Sequence, residues 1–140
     1  MVFTRRIVLK TRGQGDVVDV TQRVAAAVAE SRIVDGTATV FVTGSTAGVT
    51  TIEFEPGAVA DFDALMDRLA PRDADYKHHL RWGDDNGSSH VRAALVGPSL
   101  TVPFAKGELL LGTWQQIVVA EFDTQGRERE IVVQVVGSPN

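Results

Sequence analysis

Two runs near the C-terminus constrain this chain most. They are Ile117-Val118-Val119-Ala120-Glu121-Phe122 and Ile131-Val132-Val133-Gln134-Val135-Val136. A strand with one wet face alternates apolar and polar residues; these runs are nearly continuous in Val and Ile, so both faces call for cover. Asp123 to Arg127 reads as the turn between them. A small α+β domain with two good helices has little else to lay over such strands. Two coverings stay open: the interior of a β-sandwich within one chain, or contact with a second subunit.

The rest of the chain supplies the other layers. Ile7-Val8-Leu9 predicts a strand, Gly13 and Gly15 break it, and Val17, Val18 and Val20 form a short second one. Asp19 or Thr21 can cap a helix to about Ser31, with Gln22 as a weak capping-box partner and Val24, Ala25 and Val28 as its buried stripe. Asp35-Gly36 reads as a turn and Thr39–Thr43 as a strand. Thr50–Glu55 predicts a further strand, with Ile52 and Phe54 on one face and Thr51, Glu53 and Glu55 on the other. Pro56-Gly57 opens the clearest helix, in which Ala58, Val59, Phe62, Leu65, Met66 and Leu69 recur at three and four until Pro71. Residues 72–89 read as a long polar loop, a place where function often sits. Ser88 or Ser89 can cap a short helix through His90, Ala93, Ala94 and Leu95, with a strand as the competing reading. Leu100, Val102 and Phe104 alternate as a strand, and Lys106-Gly107 turns. No linker, repeat or low-complexity tract divides the sequence, so a single domain over 1–140 is expected.

The 140 residues contain no cysteine, which excludes disulfides, thiolate metal sites and a Cys nucleophile. The net charge of −4 argues against nucleic-acid binding, which normally shows a basic surplus. No apolar stretch approaches the roughly 18–20 residues of a membrane span, and no apolar core follows Arg5-Arg6 to make a secretory signal. A cytoplasmic protein without membrane or nucleic-acid partners is the expectation. Its chemistry must rest on carboxylates, hydroxyls, Arg, Lys and three histidines.

Three polar clusters are candidates for that chemistry. Gly44-Ser45-Thr46-Ala47-Gly48 follows a strand and can turn backbone N–H groups toward an anion, although it lacks the Gly-Lys-Ser/Thr of a P-loop. Glu53, in a predicted strand where Glu is depleted, is a candidate acid–base group. The second cluster runs from Tyr76 to His90 and holds all three histidines, His78, His79 and His90, among Asp84, Asp85 and Asn86. Such residues can ligate a divalent metal or move protons near neutral pH, and a solvated loop is the alternative. On a helix, Asn86 and His90 would share a face at i and i+4. The third cluster is Arg127 and Arg129, either a solvated edge or a bidentate phosphate clamp. Gln115, beside Trp114, can hydrogen-bond a ligand.

A family pattern runs through these residues. Phe41-Val42-Thr43-Gly44-Ser45-Thr46-Ala47 with Glu53, Asn86-x-x-x-His90, Leu95-x-Gly97-x-Ser99, Gly107-x-Leu109-x-Leu111-Gly112-Thr113-Trp114-Gln115 and Arg127-x-Arg129 resemble the YjbQ family, from about Arg5 to Gly137. Members of that family are named secondary thiamine-phosphate synthases. The resemblance implies an α+β domain with a two-sheet β-sandwich, two main helices and a short third, assembled as a homotrimer around packed sheets. It implies weak thiamine phosphate synthesis, in which a hydroxymethylpyrimidine diphosphate joins a thiazole phosphate and pyrophosphate leaves. A divalent cation, Mg²⁺ or Zn²⁺, and basic side chains would stabilise the leaving charge. On this chain the implied centre is His90 and Glu53 supported by Asn86. Arg129 and then Arg127 would hold phosphate, with Ser45, Thr46 and Gln115 on the substrate, and His90, His78, His79 and Glu53 as metal ligands. The chain departs from the family pattern twice: Gly44 stands where many members have His, and Ile52 where many have Asn. That variant pattern keeps two alternatives in view, a non-enzymatic trimeric module binding a phosphorylated metabolite or metal, and a metal-dependent hydrolase.

Overall fold

The computed structural model describes residues 1–139. In chain order the elements are β1 (Val2–Lys10), β2 (Val17–Asp19), α1 (Thr21–Ser31), β3 (Asp35–Val42), β4 (Ala47–Ile52), α2 (Pro56–Leu69), α3 (Lys77–Trp82), α4 (Gly87–Val96), β5 (Ser99–Ala105), β6 (Glu108–Leu109), β7 (Gln116–Glu121) and β8 (Glu128–Ser138). They build two antiparallel sheets, ordered β1-β8-β3-β5-β6 and β2-β7-β4. This is the expected α+β two-sheet arrangement. Among the described residues it carries four helices, one more than two main helices and a short third.

The two Val/Ile-rich strands resolve their cover differently. In β7, Ile117 and Val119 join the main core with Val40, Val42, Ile131 and Val133. Ala120 and the following Phe122 pack on the other side with Met66 of α2 and Ala93 of α4. Both faces of β7 are therefore covered within one chain. β8 is different: Ile131, Val133 and Val135 are fully buried, while Val136 is 44% exposed. The outer face of the large sheet also presents Val2, Val8 and Phe41 to solvent. No helix among the described residues is long and apolar enough to span a membrane.

Several boundaries differ from the sequence reading. β1 extends from Val2 to Lys10, beyond Ile7–Leu9, because β8 offers it a partner along its whole length. Asp35-Gly36 opens β3 instead of forming a turn. Gly36 sits opposite Gly137 in β8, and a Cβ on Gly36 would lie 2.1 Å from the Val136 carbonyl oxygen, so the two backbones meet there only as glycines. In α1, Ala27 and not Ala25 joins Val24 and Val28 in the fully buried stripe. β4 ends at Ile52, opposite Gln116, the first residue of β7. Glu53 and Phe54 therefore lie in the connector, and Glu55 turns its carboxylate onto the Gly57 and Ala58 N–H groups as the N-cap of α2.

The stretch read as loop, 72–89, contains α3, which stops at Gly83 in the left-handed region (φ 65°). Helix and not strand follows at α4. Ser88 and Ser89 are buried in its first turn and do not cap it. Arg92, also buried, ties α4 to the end of α2: its Nε donates to the Ala70 carbonyl at 3.0 Å. Burial pushes the Arg92 pKa down, against the opposing pull of Asp63 and Asp67.

Candidate functional site

A buried chain of charges closes one end of the sandwich. Glu121 is fully buried as the last residue of β7, Asp123 is 1% exposed just beyond it, and Arg129 reaches in from β8 at 6%. The Arg129 guanidinium donates through Nε to Glu121 Oε1 at 2.8 Å and through Nη2 to Glu121 Oε2, with Nη2 also reaching Thr46 Oγ1 at 2.7 Å. Thr11 Oγ1 donates to Glu121 Oε1 at 2.5 Å, and the Asp123 N–H to Glu121 Oε2 at 3.0 Å. Thr46 then donates to Asp123 Oδ2 at 3.1 Å. Arg127 donates to the same oxygen through Nε at 2.9 Å and Nη2 at 2.8 Å. Such a buried ion pair holds together only because its lone pairs and protons are nearly all used.

Access to the two arginines follows from this. Arg129 has spent Nε and Nη2 internally; its Nη1 lies beside Gly44, where a Cβ would approach to 2.9 Å. Gly44 is at φ +133°, so the position demands glycine for its backbone as well as for Arg129. Arg127 is 48% exposed and offers its outer N–H groups to solvent. Ser45 is exposed in the same loop.

Burial pushes the Asp123 carboxyl up, but the Thr124 N–H, Arg127 and Thr46 outweigh it and leave the pKa below the ordinary value. A depressed pKa means that the unfolded chain binds the proton more readily. Asp123 thus stabilises the fold above the unfolded pKa of about 3.9, and that contribution is lost as pH falls through the folded value. Asp123→Asn is expected to cost about 1.5–3 kcal/mol at pH 7. Thermal unfolding from pH 7 to 3 checks this: the gap between wild type and Asp123→Asn should narrow below pH 4, and a constant gap would contradict it.

The α3–α4 corner abuts this network. Gln14 Nε2 donates both to Ser88 Oγ at 3.3 Å and to the Phe122 carbonyl at 2.9 Å, and Thr124 Oγ1 lies 3.5 Å from Asp85 Oδ1. His78 and His90 pack ring on ring with centroids 4.4 Å apart. His78 Nδ1 lies 3.0 Å from Asp84 Oδ1. With its amide turned to match donors to acceptors, the Asn86 nitrogen donates to both Asp84 oxygens at 3.2 Å. His79 accepts the Gly87 N–H at Nε2 over 3.0 Å, which serves the first turn of α4, and its ring stands edge-on to Tyr76. His78, His90, Asn86, Ser45, Thr46, Arg127 and Arg129 therefore lie around one end of the three-stranded sheet.

Two candidates lie elsewhere. Glu53 follows the far end of β4, and six strand residues separate it from Thr46, roughly 20 Å at the usual strand rise. It lines a cavity with Asp19, Trp114 and Gln116. Gln115 accepts the Gly112 N–H at 3.0 Å and faces Thr51 in a separate groove between β4 and β5. Among the described residues no three His, Asp or Glu side chains are placed to hold a metal ion. A Zn²⁺ site, which needs three or four converging protein ligands, does not fit this arrangement of His78, His79, His90 and Glu53.

The pattern of the YjbQ-like UPF0047 proteins matches residues 5–138. The chain belongs to the YjbQ family. A UPF0047 protein of Methanothermobacter thermautotrophicus is 37% identical over 138 residues, covering 99% of this chain and 94% of its own. A UPF0047 protein of Mycobacterium tuberculosis is 41% identical over 103 residues, covering 73% and 76%. Among solved structures, a Sulfolobus solfataricus protein described as YbjQ-like and of unknown function superposes with a TM-score of 0.88 at 29% identity, covering 99% of this chain and 100% of its own. A YjbQ/UPF0047 protein of Clostridium acetobutylicum gives 0.85 at 35% identity, covering 94% and 99%. Within this YjbQ fold, sequence reasoning missed Thr11, Glu121 and Asp123. The signal for Glu121 was present: a carboxylate inside a run otherwise made of Val, Ile, Ala and Phe is almost never buried unpaired.

Proposed function

We propose that the chain is a transferase of the thiamine-phosphate-synthase type, acting on phosphorylated small molecules at the His90–Arg127 end of the three-stranded sheet and working as a homotrimer. The observation that carries this reading is the half-exposed Arg127, held on Asp123 beside Thr46, on a turn that adjoins the His78–His90 corner through Thr124 and Asp85. In the reaction the thiazole nitrogen attacks the pyrimidine methylene carbon. The new C–N bond forms as the C–O bond to diphosphate breaks, and the diphosphate leaves with the electron pair. Arg127 takes the leaving charge bidentately, Arg129 adds Nη1, and the Ser45 hydroxyl donates to a phosphate oxygen. His90, packed against the His78 ring, donates a hydrogen bond to the departing oxygen. The exposed apolar residues on the outer face of the large sheet, Val2, Val8, Phe41 and Val136, support the trimer.

The test is pyrophosphate release from hydroxymethylpyrimidine diphosphate and thiazole phosphate, alongside growth of a thiamine-phosphate-synthase-deficient strain without thiamine. Turnover that falls at least about tenfold in Arg127→Ala is expected. Saturable binding of either substrate without pyrophosphate release would favour the binding-module reading, and no growth from a well-expressed chain would sink the synthase.

A further inference from the structure

At the other end of β4 lies a cavity of about 400 Å³, well within the range of small-molecule sites. Its walls include Asp19, Glu53, Glu55, Phe54 and Trp114, and neither Lys nor Arg lines it. Two features set it apart from an ordinary acidic surface. Trp114 is 72% exposed and Phe54 42%, so two aromatic rings stand in water on the rim of a concave, negatively charged space. The backbone next to both rings is also tied to one side chain: Gln116 accepts the Phe54 N–H at Oε1 over 2.9 Å and donates through Nε2 to the Thr113 carbonyl at 3.3 Å. The connector carrying Phe54 and the turn carrying Trp114 are thus fixed before any ligand arrives.

The carboxylates divide by what they already do. Glu55 spends both oxygens on the N-terminus of α2, and Asp19 Oδ1 receives the Thr21 N–H and hydroxyl. Glu53 makes no side-chain hydrogen bond or ion pair among the described residues, so its charge is available. A bare divalent metal is a poor match, since no three carboxylates converge among the described residues. A neutral ligand with an apolar surface and no hydrogen-bond donor would strip water from Glu53 and return nothing. A cation with an apolar skin satisfies both halves: its charge faces Glu53, and its alkyl surface lies on the indole, whose face attracts cations.

We infer that this cavity binds a small organic cation of the alkylated-ammonium type, with Trp114 and Glu53 as the contacting residues and Gln116 as a positioning residue. The inference stands apart from the transferase reading, because the cavity shares no lining residue with the His90–Arg127 end.

The experiment titrates choline against its neutral carbon isostere, 3,3-dimethylbutan-1-ol. A Trp82→Phe variant leaves Trp114 as the sole indole; Trp82 is 63% exposed, so its replacement leaves the core untouched. The expected result is saturable quenching by choline, with the alcohol at least about tenfold weaker. Glu53→Gln should weaken choline about three- to tenfold, and Trp114→Ala, read by calorimetry, should abolish it. Gln116→Ala should weaken it too and broaden the Trp114 emission, a loosening that loss of a mere structural bond elsewhere would not report. Equal binding of choline and the alcohol, or no saturation by choline at concentrations on the order of tens of millimolar, would overturn the site. Either outcome leaves pyrophosphate release, measured at the opposite end, unaffected.

Discussion

Glu121→Ala is expected to cost about 3–5 kcal/mol, the usual range for removing one partner of a buried ion pair. Four donors converge on this carboxylate: Arg129 Nε and Nη2, the Thr11 hydroxyl and the Asp123 N–H. Without it, the Arg129 charge stays buried with Thr46 as its remaining side-chain partner. The loss is a large share of the roughly 5–15 kcal/mol that holds a domain of this size together. Thermal and urea unfolding should show the midpoint falling by roughly 10–25 °C. The double variant Glu121→Leu with Arg129→Met should recover most of that loss, since an apolar pair of similar volume leaves no charge stranded. A fall of under about 1 kcal/mol in Glu121→Ala would mean that water reaches Arg129. The double variant also separates scaffold from site: with stability restored, any deficit in phosphate binding belongs to Arg129 itself.

How far the sequence could be read turns on where tertiary contacts decide. The Val/Ile content of β7 and β8 announced buried strands, and the i, i+3, i+4 pattern of α2 marked that helix from its start at Pro56, with Pro71 lying two residues past its last residue, Leu69. The alternation Thr51-Glu53-Glu55 misled because it continues past the point where β7 runs out. Pairing ends at Ile52 opposite Gln116, and Glu55 then caps α2. α3 was illegible because it buries no residue fully and leaves Leu80 87% exposed, so no apolar stripe marks it. Asn86 and His90 do share a helix start, as their spacing suggested, with the His90 N–H directed at the Asn86 carbonyl over 3.4 Å. The stacking of His78 on His90 depends on how α3 lies on α4, which no local pattern encodes. Likewise Arg127 and Arg129 look alike in sequence, yet two residues along an antiparallel turn separate a half-exposed guanidinium from a buried one.

His90→Ala is the variant expected to affect turnover most. A positioned side chain that donates to a leaving group contributes about 10²–10⁴-fold, so pyrophosphate release should fall by that order while the KM for the diphosphate changes little. Stability should shift by no more than about 1 kcal/mol, because His90 is only half-buried and no hydrogen bond among the described residues holds its ring. His78→Ala tests the orienting role separately: it leaves His90 in place but removes the ring packed against it and one partner of Asp84. It should lose less than His90→Ala, and the double variant should lose no more than His90→Ala alone, since a positioning residue has nothing left to position. Additive losses would instead make His78 an independent contributor. A His90→Ala protein with unchanged turnover and unchanged melting would move the reaction away from the α3–α4 corner altogether, leaving Arg127 and Arg129 as an anion site without an adjoining proton donor.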